Sequence, residues 1–419
     1  MNHFEYRQNT LHCENVALSS LAAEFGTPLY VYSTATLERH WRVFDHAFRD
    51  IPHLICYSVK ANSNLAILRL FANLESGFDI VSGGELARVL RVSGDPAKVV
   101  FSGVGKTVDE IRQALSYDIL CFNVESEEEL RTISAVALAE GKRAPISLRV
   151  NPDVDAKTHA YISTGLKTTK FGIPIRDATE IYDLARSLPA IDVRGIDCHI
   201  GSQLLEIEPF VESLRHVLDL LRALRAQGFQ LSVLDIGGGL GIPYTDESPP
   251  DPQQYADAMC KELEGWNVQV LLEPGRVIVG NAGILLTRVL YWKSNEDKHF
   301  VVVDAGMNDA MRPAMYGARH NIVPVELNPQ AVEFMVDVVG PICESADFLG
   351  KCRKMPKMMQ GELLAMMTSG AYGFSMASNY NSRPRAAEVL VNGGVAYCVR
   401  QRETIDSLFS LEAIPPFLS

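Results

Sequence analysis

The chain has 419 residues, of which 47% are hydrophobic, and a formal net charge of −12 at pH 7. This length is sufficient for two domains, or for one large barrel with an appended domain. The acidic balance argues against nucleic acid and anionic membrane surfaces as partners. No stretch approaches the roughly 20 apolar residues of a membrane-spanning helix, and the N-terminal segment lacks the apolar run of a signal peptide. Eight scattered cysteines without a CxxC pair argue against structural zinc and indicate a reducing cytoplasm.

The first predicted strand follows a break in a weakly periodic N-terminal segment. Gly26-Thr27-Pro28 interrupts the chain, and Leu29–Tyr32 has the composition of a short strand. Ser33 is then a candidate N-cap for a helix that begins near Ala35.

Eight short apolar strands, each followed by a polar-faced helical segment, make up the next part of the chain. They are predicted at Leu54–Tyr57, Phe78–Val81, Val99–Ser102, Ile119–Val124, Ile146–Val150, Ile196–Ile200, Leu231–Ile236 and Val268–Leu272. Strands that alternate with helices form a parallel sheet with right-handed crossovers. Eight such units in about 220 residues fit a (β/α)8 TIM barrel better than an open doubly wound sheet.

Beyond Ala282 the pattern changes. Strands are predicted at Val289–Trp292, Phe300–Val303, Phe334–Val338 and Val389–Val391, and turns separate them. The next helical pattern lies in the methionine-rich segment Met355–Met367. We therefore predict a second, mainly antiparallel β domain in this part of the chain.

Lys60 lies where the first barrel strand ends and a helix is about to begin, in the stretch Tyr57–Asn64. Desolvation at such a position lowers the pKa of an ammonium group. A lysine amine of lowered pKa is the usual partner of an aldehyde in a Schiff base. The alternative is a strand-end lysine that pairs with a carboxylate.

Other residues capable of chemistry follow the remaining strands. They are Asp79, Glu85, Arg149, His199, Gly237, Gly238, Gly239 and Glu273. Barrel active sites lie at this end of the strands. The three glycines could bring backbone amides close to a phosphate, or form a bare turn.

Glu273 and Arg276 form a second candidate pair at the end of the eighth strand. A carboxylate there can hydrogen-bond a protonated pyridine nitrogen and keep the ring a strong electron sink, while an arginine can bind a carboxylate or phosphate through two hydrogen bonds. The alternative is a salt bridge between the two residues. His199 could stack on an aromatic cofactor or be an ordinary core histidine.

Cys343 and Glu344 lie in the predicted β domain, at a turn after the strand Phe334–Val338. A thiol beside a carboxylate can donate a proton or bind a substrate ammonium; alternatively, Cys343 is an ordinary buried cysteine. The glycine-rich stretches around Tyr372 and Asn381 suggest that the β domain contributes to a site.

With these motifs assembled, the sequence resembles the fold-type III decarboxylases of basic amino acids, which depend on pyridoxal 5′-phosphate (PLP). The motifs are YSVKANSN, GFDIVSGGE, HIGSQ, DIGGGLGIPY, EPGR, RPAMYG, GPICESADF and GAYGFSMASNYNSRPRAAEV. They run from Tyr57 to Val389 in the order of the family, and together they are highly specific.

The resemblance implies an alanine-racemase-like barrel over residues 29–281 and a β domain over residues 282–419, with residues 1–28 packed against the β domain. It implies PLP as cofactor and a homodimer with shared active sites. It also implies decarboxylation of meso-2,6-diaminopimelate to L-lysine and CO2, the last step of lysine biosynthesis.

The family's catalytic residues carry over to positions of this chain. Lys60 matches the Schiff-base lysine, and His199 the histidine that stacks on the cofactor ring. Glu273 matches the partner of the pyridine nitrogen. Gly275 and Arg276 belong to the same cofactor-binding turn.

The phosphate loop matches Gly237, Gly238 and Gly239. Tyr372 matches a residue near the cofactor phosphate and the substrate. Supporting positions of the family match Asp79, Glu85, Arg149 and Ser202.

The distal end of the substrate is held in the family by residues that match Arg276, Arg312, Tyr316 and Glu344. Cys343 matches the proton donor, which the family supplies across the dimer interface.

Three alternatives remain. The first is a relative that acts on ornithine, arginine or carboxynorspermidine, but Arg312, Tyr316 and the segment Thr164–Lys167 favour a substrate with a distal carboxylate. The second is an amino acid racemase, which would need a weaker electron sink than Glu273 provides. The third is an inactive regulator that binds a decarboxylase, against which Lys60, Glu273 and Cys343 argue.

Overall fold

The structure is a computed structural model and describes residues 2–155, 170–296 and 298–418. The chain forms two compact units. One consists of Glu38–Ile278, and the other combines Met1–Leu37 with Val279–Ser419. Within the described residues, no helix has the length and apolar character needed to cross a membrane.

The unit Glu38–Ile278 contains a closed barrel of eight parallel strands. In chain order the strands are His53–Ser58, Gly77–Ile80, Val99–Phe101, Cys121–Val124, Ala144–Asn151, Ile191–Asp197, Val233–Asp235 and Gln269–Leu272. Each strand pairs with the next, and the eighth pairs with the first. The predicted (β/α)8 barrel is thus confirmed. A short strand, Ile173–Pro174, pairs with the fifth strand.

Helices alternate with the barrel strands, and several of them begin at a side-chain N-cap. The helices are Thr34–Ala47, Leu65–Asn73, Gly83–Arg91, Val108–Ser116, Glu127–Ala139, Ala178–Ser187, Glu208–Ala226, Pro252–Glu262 and Arg276–Val279. The Ser33 hydroxyl accepts a hydrogen bond from the Thr36 amide at 3.1 Å, which confirms Ser33 as an N-cap. Thr107 and Glu110 form a capping box at a later helix.

An apolar cluster lies in the barrel below the ends of the strands. It contains Cys56, Val100, Cys121, Val233 and Leu271, all buried. Side chains two residues apart in a strand face the same side. The residues two positions after each member of the cluster therefore lie on the same face, and all five of them are polar.

The second unit is built on mainly antiparallel strands, as predicted. Its principal strands are Leu29–Ser33, Gly283–Asn295, Lys298–Val303, Ile322–Pro324, Glu333–Val339, Phe348–Pro356, Leu363–Met366, Ala387–Asn392 and Val395–Arg400. A small sheet contains Phe4–Arg7, Thr10–Cys13 and Val16–Ala17, and the helices are Leu18–Phe25, Arg312–Tyr316 and Ile405–Phe409. Two of the pairings in the main sheet are parallel.

Two features differ from the expectations drawn from the sequence. The strand Leu29–Ser33 pairs with Gly283–Asn295 and Ala387–Asn392, so it belongs to the β unit, whereas the predicted boundary lies before it. The local sequence pattern of a strand followed by a helix is the same in either unit, so it does not reveal which sheet the strand joins. The methionine-rich segment is not helical but contains the end of Phe348–Pro356 and the strand Leu363–Met366, because strand pairing overrides the helical propensity of methionine.

Candidate active site

A buried polar residue lies at or near the C-terminal end of each barrel strand. In strand order these are Ser58, Asp79, Ser102, Asn123, Arg149, Asp197, Asp235 and Glu273. Five of them stand two positions after a residue of the apolar cluster, so they continue its face of the barrel. The alternation of side chains along each strand therefore places a layer of polar side chains, the polar layer, directly above the apolar cluster.

Lys60 follows the first of these polar positions, in the single turn Val59–Ala61. Its Nζ donates a hydrogen bond to Asp79 Oδ2 at 2.7 Å. The Ser58 hydroxyl lies 2.8 Å from the same carboxylate oxygen. The Lys60 side chain is 34% exposed, whereas that of Asp79 is fully buried. The lysine amine is therefore oriented by a buried carboxylate and still reachable from outside, as the alternative of a pairing with a carboxylate predicts, and its role in a Schiff base stays a prediction.

Glu273 is held by neutral donors. Its Oε1 accepts hydrogen bonds from the Ser102 hydroxyl at 3.2 Å and from the Asn123 amide at 3.3 Å. The Asn123 amide also reaches Asp235 Oδ2 at 3.2 Å. Burial raises the pKa of Glu273 well above its usual value, and the negative Asp235 and Asp79 add to the rise more than Lys60 and Arg149 reduce it.

Two further buried carboxylates share this environment. Burial and the nearby Asp197 raise the pKa of Asp235 to about 8, and burial and Glu273 raise the pKa of Asp197 well above its usual value. One oxygen of Asp79 and one of Asp197 have no hydrogen-bond partner although both are buried. The barrel mouth therefore holds several buried carboxyl groups whose raised pKa values favour the neutral form, and a cationic group would stabilise their ionised forms.

Arg149 lies in a buried ion pair. Its NH1 is 3.0 Å from Glu125 Oε1, and its Nε is 4.0 Å from Asp197 Oδ2. The guanidinium also lies 5.0 Å from the ring centroid of Phe171. Arg149 thus compensates part of the negative charge of the layer and fixes the Glu125 carboxylate.

Glu85 caps its own helix rather than entering this network. The Ser82 hydroxyl accepts from the Glu85 amide, and the Glu85 carboxylate accepts from the Val81 amide at 2.8 Å. Burial raises the pKa of Glu85 to about 7, although the hydrogen bond from Val81 acts in the opposite direction. The supporting role of Glu85 that the resemblance implies stays a prediction.

The glycine stretch after the seventh strand packs directly on neighbouring backbone. A Cβ atom at Gly238 would lie 2.1 Å from the carbonyl oxygen of Glu273, so any larger residue would push the two strand ends apart. The Gly237 amide donates to Asp235 Oδ1 at 2.9 Å, and the Gly238 amide donates to Nδ1 of His199 at 3.2 Å. The loop is therefore more than a bare turn, because it connects the acidic layer to His199.

His199 is half-buried beside this loop. Its Nδ1 accepts a hydrogen bond, so the proton of the neutral ring resides on Nε2. Burial and the positive Arg149 and Lys60 lower the pKa of His199 well below its usual value. The imidazole is thus a neutral, partly accessible ring, which suits stacking on an aromatic group.

Arg276 is buried and oriented by hydroxyl groups. Its Nε and NH2 donate to the Ser202 Oγ at 3.3 Å and 3.0 Å, and its NH1 contacts the Tyr244 hydroxyl. These contacts orient the guanidinium, which can bind an anion through two hydrogen bonds. Gly275 precedes it where a Cβ atom would lie 3.0 Å from those of Ser58 and Ala61. This corner suits an anionic group.

The remaining candidates lie in the β unit. Buried Arg312 begins a short helix that ends at half-buried Tyr316. Tyr372 has a φ of 54°, in the left-handed region. Cys343 is exposed, so the reading of an ordinary buried cysteine is wrong.

Several members of the network were not predicted from the sequence. Ser102, Asn123, Asp197, Asp235 and Tyr244 were not named as candidates, although the first four stand at the same strand-end position as Asp79 and Glu273. That periodicity was the available signal. The predicted specificity segment Thr164–Lys167 lies outside the described residues.

Comparisons with known proteins show the family of the chain. A family model described as "pyridoxal-dependent decarboxylase, pyridoxal binding domain" matches residues 34–280. The diaminopimelate decarboxylase of Vibrio cholerae is 55% identical over 419 residues, which cover 99% of this chain and 100% of the relative. That of Haemophilus influenzae is 53% identical, with coverage of 99% and 100%.

Solved structures give the same result. A diaminopimelate decarboxylase of M. jannaschii in complex with L-lysine has a TM-score of 0.95 and 38% identity, and the match covers 100% of both chains. The corresponding enzyme of Helicobacter pylori, also complexed with L-lysine, has a TM-score of 0.91 and 43% identity, with coverage of 94% of this chain and 99% of that one.

Proposed function

The chain belongs to the PLP-dependent diaminopimelate decarboxylases, and we propose that the polar layer of its barrel holds the cofactor while residues of its β unit select the substrate. The enzyme is a carboxy-lyase that converts meso-2,6-diaminopimelate to L-lysine and CO2. The observation that carries the proposed site is the accessible Lys60 amine above an excess of buried carboxylates.

The residues of the barrel mouth fit PLP. When bound, PLP supplies an aldehyde that combines with amines and a cationic ring that accepts electrons from the bond to the departing carboxylate. Lys60 would hold the aldehyde end, and His199 would lie on the ring. Arg276 and the glycine loop would hold the phosphate, with Ser202 orienting Arg276. Glu273 would hold a proton at the ring nitrogen, and that cation would offset the repulsion among the buried carboxylates.

Within this site, the protein's own groups prepare the reaction. Asp79 orients the Lys60 amine, and Ser102 and Asn123 donate to Glu273, which favours its ionised form. Arg312, Tyr316 and Glu344 would hold the distal amino acid end of the substrate, with Arg276 assisting. Tyr372 would lie near the phosphate and the substrate. Cys343 would return a proton to the carbon that loses its carboxylate.

The substrate assignment is tested by identification of the products. The purified enzyme is expected to form L-lysine and CO2 from meso-diaminopimelate, and to leave ornithine and arginine essentially unreacted. Preferential release of a diamine from ornithine or arginine would instead assign the chain to a relative with a different substrate.

The Glu273→Gln variant is expected to retain the cofactor but to turn over about 10²–10³-fold more slowly, because a neutral amide stabilises a cationic ring poorly. Cofactor content is read by absorbance and turnover by CO2 release. The matched control is Glu388→Gln, a fully buried glutamate of the β unit, which should keep the parent's cofactor band and turnover. Unchanged turnover in a fully loaded Glu273→Gln enzyme would contradict the assignment.

The Arg312→Lys variant is expected to lose about 10–100-fold in kcat/KM for diaminopimelate, because lysine cannot replace a planar, charge-assisted arginine–carboxylate pair. The cofactor spectrum should not change. Arg288→Lys is the control, since the Arg288 side chain donates to a backbone carbonyl at an exposed position of the same unit. Parent-like kcat/KM in Arg312→Lys would show that another group selects the distal carboxylate.

Two broader features belong to the same proposal. We propose a twofold homodimer in which Cys343 and Glu344 serve the barrel of the partner subunit; the support is the exposure of both residues and the family resemblance.

We also propose a cytoplasmic location. Its support is that the eight cysteines of the chain are free thiols, which is usual in a reducing compartment.

A further inference from the structure

The turn that carries Cys343 and Glu344 is held by a second loop of the same unit, the single helical turn Tyr380–Ser382. The Tyr380 hydroxyl contacts Glu344 Oε1. The Oδ1 atom of Asn381 accepts a hydrogen bond from the Cys343 amide at 2.8 Å. Tyr380 thus holds the side chain of Glu344, and the neighbouring Asn381 holds the backbone of Cys343.

The backbone of the holding loop is in an unfavourable conformation. Asn381 has φ 54° and ψ 30°, and Ser382 has φ 52°, so two successive residues other than glycine lie in the left-handed region. Asparagine tolerates this region, whereas serine does so less readily. Such a conformation persists only where the surroundings enforce it, and it is concentrated at functional sites.

The loop has a firm anchor on its N-terminal side. The Asn379 amide donates to Glu403 Oε2 at 2.6 Å and to the Arg383 carbonyl at 3.1 Å. Arg385 Nε donates to the other oxygen of Glu403 at 2.7 Å. The ion pair of Arg385 and Glu403 therefore fixes the residue that precedes Tyr380.

The turn that carries Cys343 and Glu344 is also held by a buried carboxylate. Asp347 is buried, and its two carboxylate oxygens accept hydrogen bonds from the Met307 amide at 2.7 Å and the Ile342 amide at 2.6 Å. The backbone of the turn is thus fixed up to Ile342. The side chains of Cys343 and Glu344 extend beyond this support on an exposed surface, where a side chain keeps several rotamers unless a neighbour restricts it.

We propose that Tyr380 and Asn381 are positioning residues of the decarboxylase. Tyr380 engages Oε1 of Glu344, so that Oε2 is presented to the distal ammonium of the substrate. Asn381 fixes the backbone of Cys343, so that its thiol is presented to the carbon that must be protonated. The inference rests on the roles proposed above for Glu344 and Cys343.

Tyr380→Phe tests the first contact, because it removes the hydroxyl and keeps the ring. The KM for meso-diaminopimelate and the inhibition constant of L-lysine, which both carry the distal ammonium, are expected to rise about tenfold. That is the usual effect of losing a hydrogen bond to a charged group. 2-Aminopimelate has a single amino group, so its distal end carries no ammonium when that group lies at the cofactor, and its inhibition constant is expected to stay within about twofold. Tyr117→Phe is the matched control, since Tyr117 is 45% exposed and Tyr380 is 42% exposed.

The pattern across the two inhibitors separates a specific role from a structural one. If inhibition by L-lysine and by 2-aminopimelate weakened equally, Tyr380 would merely maintain the loop, and its assignment would be overturned. Unchanged constants for both inhibitors would overturn it as well.

Asn381 is tested by two variants that accept its backbone conformation. Asn381→Gly suits the left-handed region but removes the acceptor for the Cys343 amide, whereas Asn381→Asp suits the region and keeps an acceptor. The glycine variant is expected to lose about tenfold in kcat with little change in KM and to show a larger solvent hydrogen isotope effect. The aspartate variant is expected to restore the parent values to within about threefold.

Cys343→Ala is assayed in the same series. If Cys343→Ala is nearly inactive while Asn381→Gly keeps the parent's kcat and isotope effect, the role of Asn381 is overturned and that of Cys343 stands. Equal losses in the glycine and aspartate variants would also overturn it. If Cys343→Ala keeps the parent's rate, the proposed proton donor is wrong, and the role of Asn381 falls with it.

Discussion

Lys60→Ala is expected to lose the absorption band of a lysine–PLP Schiff base and nearly all decarboxylase activity. The amine is partly exposed, is oriented by the buried Asp79 and follows directly on a barrel strand. Loss of a group that also moves protons typically costs about 10²–10⁴ in rate. Loss of cofactor attachment adds to that, so Lys60→Ala is the largest single effect predicted.

The measurement combines absorbance, activity and labelling. Lys142→Ala is a matched control, because the Lys142 side chain is also 34% exposed and also pairs with an aspartate. Borohydride reduction of the parent enzyme followed by peptide mapping should place the pyridoxyl group on Lys60. A label on Lys106 or Lys170 would refute the assignment. Lys106 is a poor candidate, since its amine is buried and donates to two carbonyls and to Glu129.

Much of the fold could be predicted because barrel strands are short, apolar and regularly spaced. Each predicted strand overlaps an observed one, and its bounds differ only at the ends, where pairing rather than composition sets the boundary. Strands of the β unit such as Phe348–Pro356 and Leu363–Met366 were not predicted. The strand Leu29–Ser33 could not be assigned to a sheet, because its partners lie more than 250 residues further along the chain. Long-range pairing leaves no trace in a local pattern.

Only part of the candidate site was predicted from the sequence, because some of its residues do not stand in recognisable motifs. Lys60, His199 and Glu273 stand in conspicuous motifs, whereas Ser102 and Asn123 are ordinary residues at the ends of apolar strands. Their role depends on distances across the barrel, such as the 3.1 Å between the Asn123 amide and the Ser102 hydroxyl. Only their spacing of two residues from members of the apolar cluster could have indicated them.

The proposed homodimer leads to the second large effect. Lys60 lies in the barrel unit, whereas Cys343 lies in the β unit, and its side chain is exposed. In a twofold dimer each contact between subunits occurs twice, so two equivalent sites would each combine one chain's Lys60 with the partner's Cys343. Lys60→Ala and Cys343→Ala homodimers should therefore both be nearly inactive, since every site in either one carries a defect.

Mixing the two inactive variants should restore activity if the sites are shared. A heterodimer then has one site with both defects and one site with neither. Random exchange of subunits makes roughly half of the dimers mixed, so activity should recover to about a quarter of the parent level. Exchange is verified independently with differently tagged chains, and mixtures of each variant with itself serve as controls. If Lys60 and Cys343 of one chain served the same site, every site in the mixture would keep one defect. Verified exchange without recovered activity would therefore refute shared sites, whatever the oligomeric state.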